Sequence, residues 1–260
     1  MYKIYMSRPP QDPDLEETAL ADQLAREEGR RRFADRRERI RTETSAAIPR
    51  WYSPVGHLAA TTGIGITVLA VALTRLHDIR PFEWMVIPLT FVLANGFEWR
   101  VHKNVLHRRF WPFEVIYDRH TPMHHVVFVE DDMEVRSRRE WRMVLMPAAG
   151  VLGAVLVTAP FALAFGRLGS PNAGWLLLVT AALYMVTYEL SHLAYHLSPD
   201  GIVGRNRLVR RLREHHARHH DPRLMQRYNF NVTIPLFDWV MGTMAPRTTG
   251  NASNPAAESR

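Results

Sequence analysis

The chain has 260 residues, 47% of them hydrophobic, and a formal net charge of +7 at pH 7. This length fits one compact domain or two small ones. No cysteine is present, which excludes disulfides and thiolate metal sites, so histidine, carboxylate or amide groups must hold any metal. The mean hydropathy of -0.20 argues against a membrane protein. However, apolar residues and arginines form separate blocks, so the average hides a strongly segmented chain.

The N-terminal 50 residues form a basic segment, in which residues 15–41 are rich in helix-favouring Ala, Leu, Glu and Arg. The run RRRFADRRERIR fits a helix at an anionic membrane surface, and equally a solvated surface helix. No recognised nucleic-acid motif occurs among these basic residues, so we expect no nucleic-acid partner. We interpret residues 1–50 as a cytoplasmic segment with a charged helix.

Four apolar blocks follow and predict four membrane-spanning helices. The first has 17 residues, which span roughly 26 Å of hydrocarbon as a helix. The second has only 14 residues and needs extension at both ends, while the third has 24 and is long enough to span with tilt. The blocks are residues 58–74, 84–97, 143–166 and 168–188.

Basic residues outside these blocks indicate the orientation. Residues 26–50 and 100–142 each contain nine Lys or Arg, and residues 205–227 contain eight. The two short turns between blocks hold only Arg75, Arg80 and Arg167. By the positive-inside rule, the three basic segments and both termini are cytoplasmic. The sequence thus predicts an all-α integral membrane domain of four spans over residues 51–245, with a cytoplasmic helical cap and a disordered tail at 246–260.

Eleven of the thirteen histidines lie in four clusters, each on the basic side of a predicted span. We assign His57 and His77, which lie outside the clusters, no role beyond interface or surface. The clusters are HKNVLH from His102, HTPMHH from His120, HLAYH from His192 and HHARHH from His215.

Spacing within the clusters indicates metal binding. At 100° per residue, His192 and His196 lie within about 40° on one helical face and can bind one ion. His102 and His107 are five residues apart and need a helix end, a π-bulge or two different metals. The other pairs at four-residue spacing, each expected to share an ion, are His120 with His124 and His216 with His220.

The number of histidines favours two metals. A single pair is as easily a surface feature as a metal site, but four clusters at one membrane face supply about ten imidazoles, enough for a dinuclear centre. A non-catalytic zinc-binding or zinc-transport protein is the alternative of a different class. Against transport, the predicted spans carry almost no ionisable residue where an ion path would need one.

The order HxxxxH, HxxxHH, HxxxH, HxxHH resembles the fatty acid hydroxylase superfamily, which includes sterol desaturases, and the tail YNFNVTIPLFDWVMGT resembles the segment that closes its catalytic domain. The resemblance covers roughly residues 55–243. It implies a four-helix membrane domain whose cytoplasmic cap holds two iron ions that activate O2. The implied reaction is hydroxylation of a long-chain lipid, whether fatty acyl, sphingolipid, sterol or isoprenoid, and a lipid desaturase using the same centre is the alternative.

The resemblance also implies particular residues. Where the family often has HxxHH, this chain has HxxxHH at His120, and Asn231 and Val232 stand where many members have a glycine-containing run. Residues that could support the ligand rings are Glu98, Glu189, Asn231 and His215, the last being also an eleventh ligand candidate. The implied ligands are His102, His107, His120, His124, His125, His192, His196, His216, His219 and His220.

The electrons must come from another protein. We find no haem or flavin motif, and without cysteine the chain cannot hold an iron–sulfur cluster. A separate ferredoxin or cytochrome b5-like donor is therefore implied. Imidazole sites bind zinc more tightly than ferrous iron, so zinc in purified protein would not identify the working metal.

Overall fold

The structure, a computed structural model, describes residues 13–246, and within them the secondary structure is helical with no β-strand, as the sequence predicted. Shorter 3-10 or π-helical turns occupy Pro81–Met85, His102–Leu106, His120–His124 and Arg138–Glu140. In chain order the α-helices are α1 (Pro13–Ala46), α2 (Pro54–Leu73), α3 (Val86–Val101), α4 (Glu114–Arg119), α5 (His125–Val127), α6 (Trp141–Val144), α7 (Ala148–Leu168), α8 (Pro171–Tyr195), α9 (Arg207–His219) and α10 (Leu236–Val240).

The chain divides into two units between Ala46 and Ala47. The first consists of α1, a 34-residue helix whose described side chains are mostly exposed, in keeping with its charged composition. The second contains every other helix of the described chain. Apart from Pro246, the predicted disordered tail lies outside the described residues.

Three helical segments are long and apolar enough to cross a membrane: α2, Arg138–Leu168 and α8. Only 17% of the α2 window and 11% of the Arg138–Leu168 window is buried, against 39% for α8. The first two therefore expose their apolar side chains outward, as lipid-facing helices do. The second predicted span corresponds to α3, which has 16 residues and is shorter than these three.

Local sequence signals set the starts of α2 and α8. The Ser53 hydroxyl accepts a hydrogen bond from the Gly56 amide at 3.0 Å, and Ser170 accepts one from Ala173 at 3.2 Å. Both helices also have proline in their first positions, where its missing N–H costs nothing. These caps satisfy amide groups that would otherwise be unpaired at the helix ends.

Helix α8 lies at the centre of the second unit and packs against α2, α3 and α7. Its contact with α7 depends on glycine, because a Cβ on Gly174 would lie 2.4 Å from the carbonyl oxygen of Ala162 and 3.1 Å from the Cα of Gly166. Backbone atoms cannot move aside as a flexible side chain can. Small residues thus let the two helices approach closely, as is common between membrane helices.

The C-terminal segment is anchored on α3. The Asn95 side chain donates to the carbonyl of Ile234 at 2.8 Å and accepts from the amide of Phe237 at 3.0 Å. The Phe237 ring lies against Gly96, where a Cβ would be 2.6 Å from it. These contacts fix α10 on α3 and bring residues 228–231 beside the end of α3, where the histidines begin.

Candidate metal centre

The histidines come from four places in the second unit. His102 follows the end of α3, His120 follows α4, His192 lies in the last turn of α8, and His216 lies in the last turn of α9. The helix ends meet in space, so clusters that are up to 118 residues apart in the sequence become neighbours. All ten histidines implied as ligands are buried.

Two π-helical turns explain the five-residue spacings. His102–Leu106 and His120–His124 are both π-helical, and a π turn joins residues five apart by its hydrogen bonds. Of the three explanations considered for His102 and His107, the π turn is the one found. The same device brings His125 to His120, with their Nε2 atoms 3.0 Å apart.

The first histidine group draws on three of the four clusters. Its five candidate ligand atoms lie within 4.8 Å of one another. Two nitrogens on opposite sides of one ion, each at roughly 2.1 Å, are about 4.2 Å apart, so this spread is close to the size of a metal site. The group comprises His102, His107, His120, His125 and His219.

The second histidine group comprises His124, His192, His196 and His216, again with ligand atoms within 4.8 Å. His220 lies beside it, with its Nε2 atom 3.1 Å from that of His216. The structure therefore separates His120 and His124, which the four-residue spacing had assigned to one ion. That argument assumed an α-helix, and the π turn changes the direction of the rings.

Backbone carbonyls orient five of the rings. A carbonyl oxygen only accepts, so the Nδ1 atom facing it carries the proton and the Nε2 lone pair is free. This is how proteins usually fix the tautomer of a metal-binding histidine. The pairs of Nδ1 atom and accepting carbonyl, at 2.5–3.0 Å, are His102 with Phe230, His124 with Met143, His196 with Met133, His219 with Tyr228, and His220 with Phe128.

The inward-facing nitrogens lack protein partners in the second group. Among the described residues, the Nε2 atoms of His124, His192 and His196 are buried and make no hydrogen bond. A buried nitrogen without a partner costs free energy, and for three to point into one space needs a cause. A bound cation satisfies all three lone pairs at once, so the donor set fits a metal ion.

The electrostatic environment keeps the rings neutral. Burial, followed by the nearby imidazoles of His219 and His220, lowers the pKa of His107 to about 2. Burial likewise lowers the pKa of His220 to about 3. A metal binds the deprotonated nitrogen, so at neutral pH these rings are in the state that can take an ion.

The two glutamates proposed to support the rings make other contacts. Glu98 accepts from the amide and hydroxyl of Thr233, at 3.1 and 2.6 Å, and also from the Val232 amide and the Tyr184 hydroxyl. Glu189 accepts from the amide of Met146 at 3.2 Å. Both carboxylates therefore connect backbone segments around the histidines instead of contacting the rings directly.

Asn231 and His215 meet at Asp238, a residue that the motif spacing did not single out. The Asp238 carboxylate accepts from the amides of Phe230 and Asn231 at 2.9 and 2.8 Å, and lies 3.1 Å from the Nε2 atom of His215. Asp238 therefore holds the backbone whose carbonyl accepts from His102. The supporting carbonyls left no signal in the sequence, because every residue type carries one.

Apolar helices able to span a membrane, with two buried histidine groups at their ends, define an integral membrane protein with a histidine-rich candidate metal centre. The family described as fatty acid hydroxylase matches residues 87–243, more than half of the chain. The chain belongs to this family, which is part of the fatty acid hydroxylase/sterol desaturase superfamily of membrane oxidoreductases. A search of curated proteins and a search of solved structures gave no match. The family match begins in α3, covers all four histidine clusters and confirms the resemblance read from the motifs.

Proposed function

We propose that this protein is an O2-dependent hydroxylase that inserts one hydroxyl group at an unactivated carbon of a long-chain lipid. The observation that carries the proposal is the pair of adjacent histidine groups, nine buried imidazoles whose candidate ligand atoms converge on two positions. Family membership supports the lipid substrate and the class of reaction. The chain type, whether fatty acyl, sphingolipid, sterol or isoprenoid, is left to experiment.

Each histidine group would hold one iron ion, and His220, which adjoins both groups, would complete the set of ten ligands. When bound, two iron ions supply the one-electron redox chemistry that O2 activation requires and that amino-acid side chains lack. The chain's own part is to present neutral Nε2 atoms, to fix the rings through backbone carbonyls, and to keep the centre buried.

The proposed topology has four spans with the centre on the cytoplasmic side. The 3-10 turn of 5 residues and α3 of 16 residues run consecutively, and together they measure roughly 34 Å, which suffices for the fourth span. The arginine-rich segments before α2, between α3 and α7, and after α8 support the cytoplasmic assignment. A lipid chain lying among the spans would then approach the centre from the membrane.

The reaction needs an external reductant. Written in balance, a lipid C–H bond, one O2, two electrons and two protons give the alcohol and one water. A separate one-electron carrier, either a ferredoxin or a cytochrome b5-like protein, would deliver the electrons, since this chain has no cysteine for an iron–sulfur cluster.

The test is to express the chain in a lipid-producing host and to compare total lipids by mass spectrometry. The variants are His192→Ala and His219→Ala, one from each histidine group, with His77→Ala as the matched control because His77 is exposed and outside both groups. The proposal expects lipids that gain one oxygen with the wild type and with His77→Ala, and not with the other two variants.

Two other results would each contradict the proposal. Lipids that lose two hydrogens in a histidine-dependent manner would make the protein a desaturase. Metal binding without any histidine-dependent change in lipid would favour a non-catalytic zinc-binding protein. Zinc alone in the purified protein decides nothing, since zinc displaces ferrous iron from imidazole sites.

A further inference from the structure

A groove of about 350 Å³ lies between the last turns of α8 and the first half of α9. No histidine lines it, so it is separate from the candidate metal centre. Leu190 and Leu208 on its walls are 47% and 65% exposed, an apolar exposure that is unusual for a surface in water. The lining is almost wholly apolar and includes Leu190, Leu193 and Ala194 of α8 and Leu208, Val209 and Leu212 of α9.

The groove runs across the end of a candidate span. Leu190 belongs to α8, five residues before the candidate span ends at Tyr195, so this wall faces hydrocarbon. The opposite wall belongs to α9, which begins only after the chain has left the span. Asn206 caps α9, its side-chain oxygen accepting from the amide of Leu208 at 2.9 Å. The groove therefore joins the apolar layer to the polar surface beside it.

Arginines stand next to the apolar residues of α9. Arg207 and Arg211 are four residues apart and exposed, so they share a face of the helix. Leu208 and Leu212 form the adjacent row, offset by about 100°. Within the described part of the chain, neither arginine forms an ion pair. Two uncompensated guanidinium groups thus lie along the row of leucines that lines the groove.

We propose that this groove binds an anionic phospholipid, with one acyl chain between α8 and α9 and the phosphate on Arg207 and Arg211. The apolar lining suits a hydrocarbon chain, and guanidinium groups pair with phosphate through two parallel hydrogen bonds. An acidic soluble protein would match the arginines but would leave the exposed leucines unexplained. The proposal does not depend on hydroxylation, because the site lies outside the histidine groups.

Native mass spectrometry of the full chain in mild detergent tests the proposal, using phosphatidylglycerol and phosphatidylcholine with identical acyl chains. The wild type should retain one phosphatidylglycerol in preference to phosphatidylcholine. Arg207→Gln with Arg211→Gln should weaken phosphatidylglycerol binding about 30-fold, at about 1 kcal/mol for each arginine. Replacing both by lysine should restore most of the binding.

The matched control is Arg138→Gln with Arg227→Gln, which removes two exposed arginines away from the groove and should leave binding unchanged. Equal retention of the two lipids, or unchanged binding in the Arg207 and Arg211 double variant, would overturn the proposal. Displacement of the lipid by millimolar inorganic phosphate would also overturn it, by reducing the site to a simple anion site. If the double variant keeps its lipid but is reduced more slowly by an acidic electron carrier, this face docks a protein and the proposal is wrong.

Discussion

The ring of His125 stacks on the ring of His220 with centroids 4.2 Å apart and an interplanar angle of 30°. His125 belongs to the first histidine group, and His220 lies beside His216 of the second. This contact joins the two groups across the buried centre. The two candidate ion positions are therefore neighbours, as a dinuclear centre requires.

Metal content should report the two groups separately. The wild type should bind about two ions per chain, and His192→Ala and His219→Ala about one each, because each variant removes one imidazole from a different group. Elemental analysis of iron-reconstituted protein gives the count, with His77→Ala as the control that keeps both ions. Loss of both ions from either variant would show that the groups do not bind independently.

Asp238 should support both the fold and the first histidine group. Its carboxylate accepts from the amides of Phe230 and Asn231 and from the Thr243 hydroxyl at 2.9, 2.8 and 2.7 Å. Asp238→Asn replaces one acceptor with an N–H group that faces a donor, which should lower the free energy of unfolding by about 1–3 kcal/mol. Thermal unfolding in detergent measures this loss.

Asp118→Asn is the matched control for Asp238→Asn. Asp118 pairs with Arg109 at 3.0 Å, but both side chains are roughly half exposed, so the loss should stay below about 1 kcal/mol. Equal losses in the two variants would mean that the buried contacts of Asp238 contribute no more than a surface pair.

The sequence predicted the membership of the centre better than its arrangement. Histidine identity and clustering are local facts, and the five-residue spacing of His102 and His107 already allowed a π turn. The division of His120 and His124 between two groups depends on a π turn and on helices that are distant in the sequence. The carbonyl of Phe230 could not be predicted, because it reaches His102 only after the C-terminal segment has packed on α3.

The spans were predicted to different degrees for a physical reason. Residues 58–74 and 168–188 are continuous apolar blocks, and α2 and α8 include most of each. The third block lies within Arg138–Leu168, in which the helix is interrupted between α6 and α7 just before Pro147. Composition locates apolar surface, but the α3 segment mixes 3-10, α and π geometry, which periodicity alone does not resolve.

Acid should destabilise the metal-free protein. A histidine in the unfolded chain has a pKa near 6.5, whereas burial lowers that of His107 to about 2 in the fold. Below pH 6.5 the unfolded chain therefore binds protons that the folded chain cannot bind, so the free energy of unfolding falls as the pH falls. The contribution of these histidines is fully present above pH 6.5.

The measurement is the unfolding midpoint of chelator-treated protein between pH 7.5 and pH 5. His107→Gln should reduce the slope by up to about 1.4 kcal/mol per pH unit well below pH 6.5, because one titrating group is removed. His77→Ala, which alters an exposed ring, should keep the wild-type slope. A protein that becomes more stable on acidification would contradict the assignment of buried neutral imidazoles.

Gly96 should be required for the C-terminal segment to reach the centre. In Gly96→Ala the new Cβ would lie 2.6 Å from the Phe237 ring, so α10 must shift, at a cost of about 1–3 kcal/mol. The same shift would disturb the Phe230 carbonyl that accepts from His102, so iron content should fall as well. Thermal unfolding and elemental analysis measure the two effects.

Removing the opposing ring tests this explanation of Gly96→Ala. Adding Phe237→Ala clears the space that the new methyl group needs, so the double variant should be less destabilised than the sum of the two single variants. Gly153→Ala is the control, because a Cβ there meets nothing within 4 Å and alanine favours the helix. Strict additivity of Gly96→Ala and Phe237→Ala would show that the clash is not the cause.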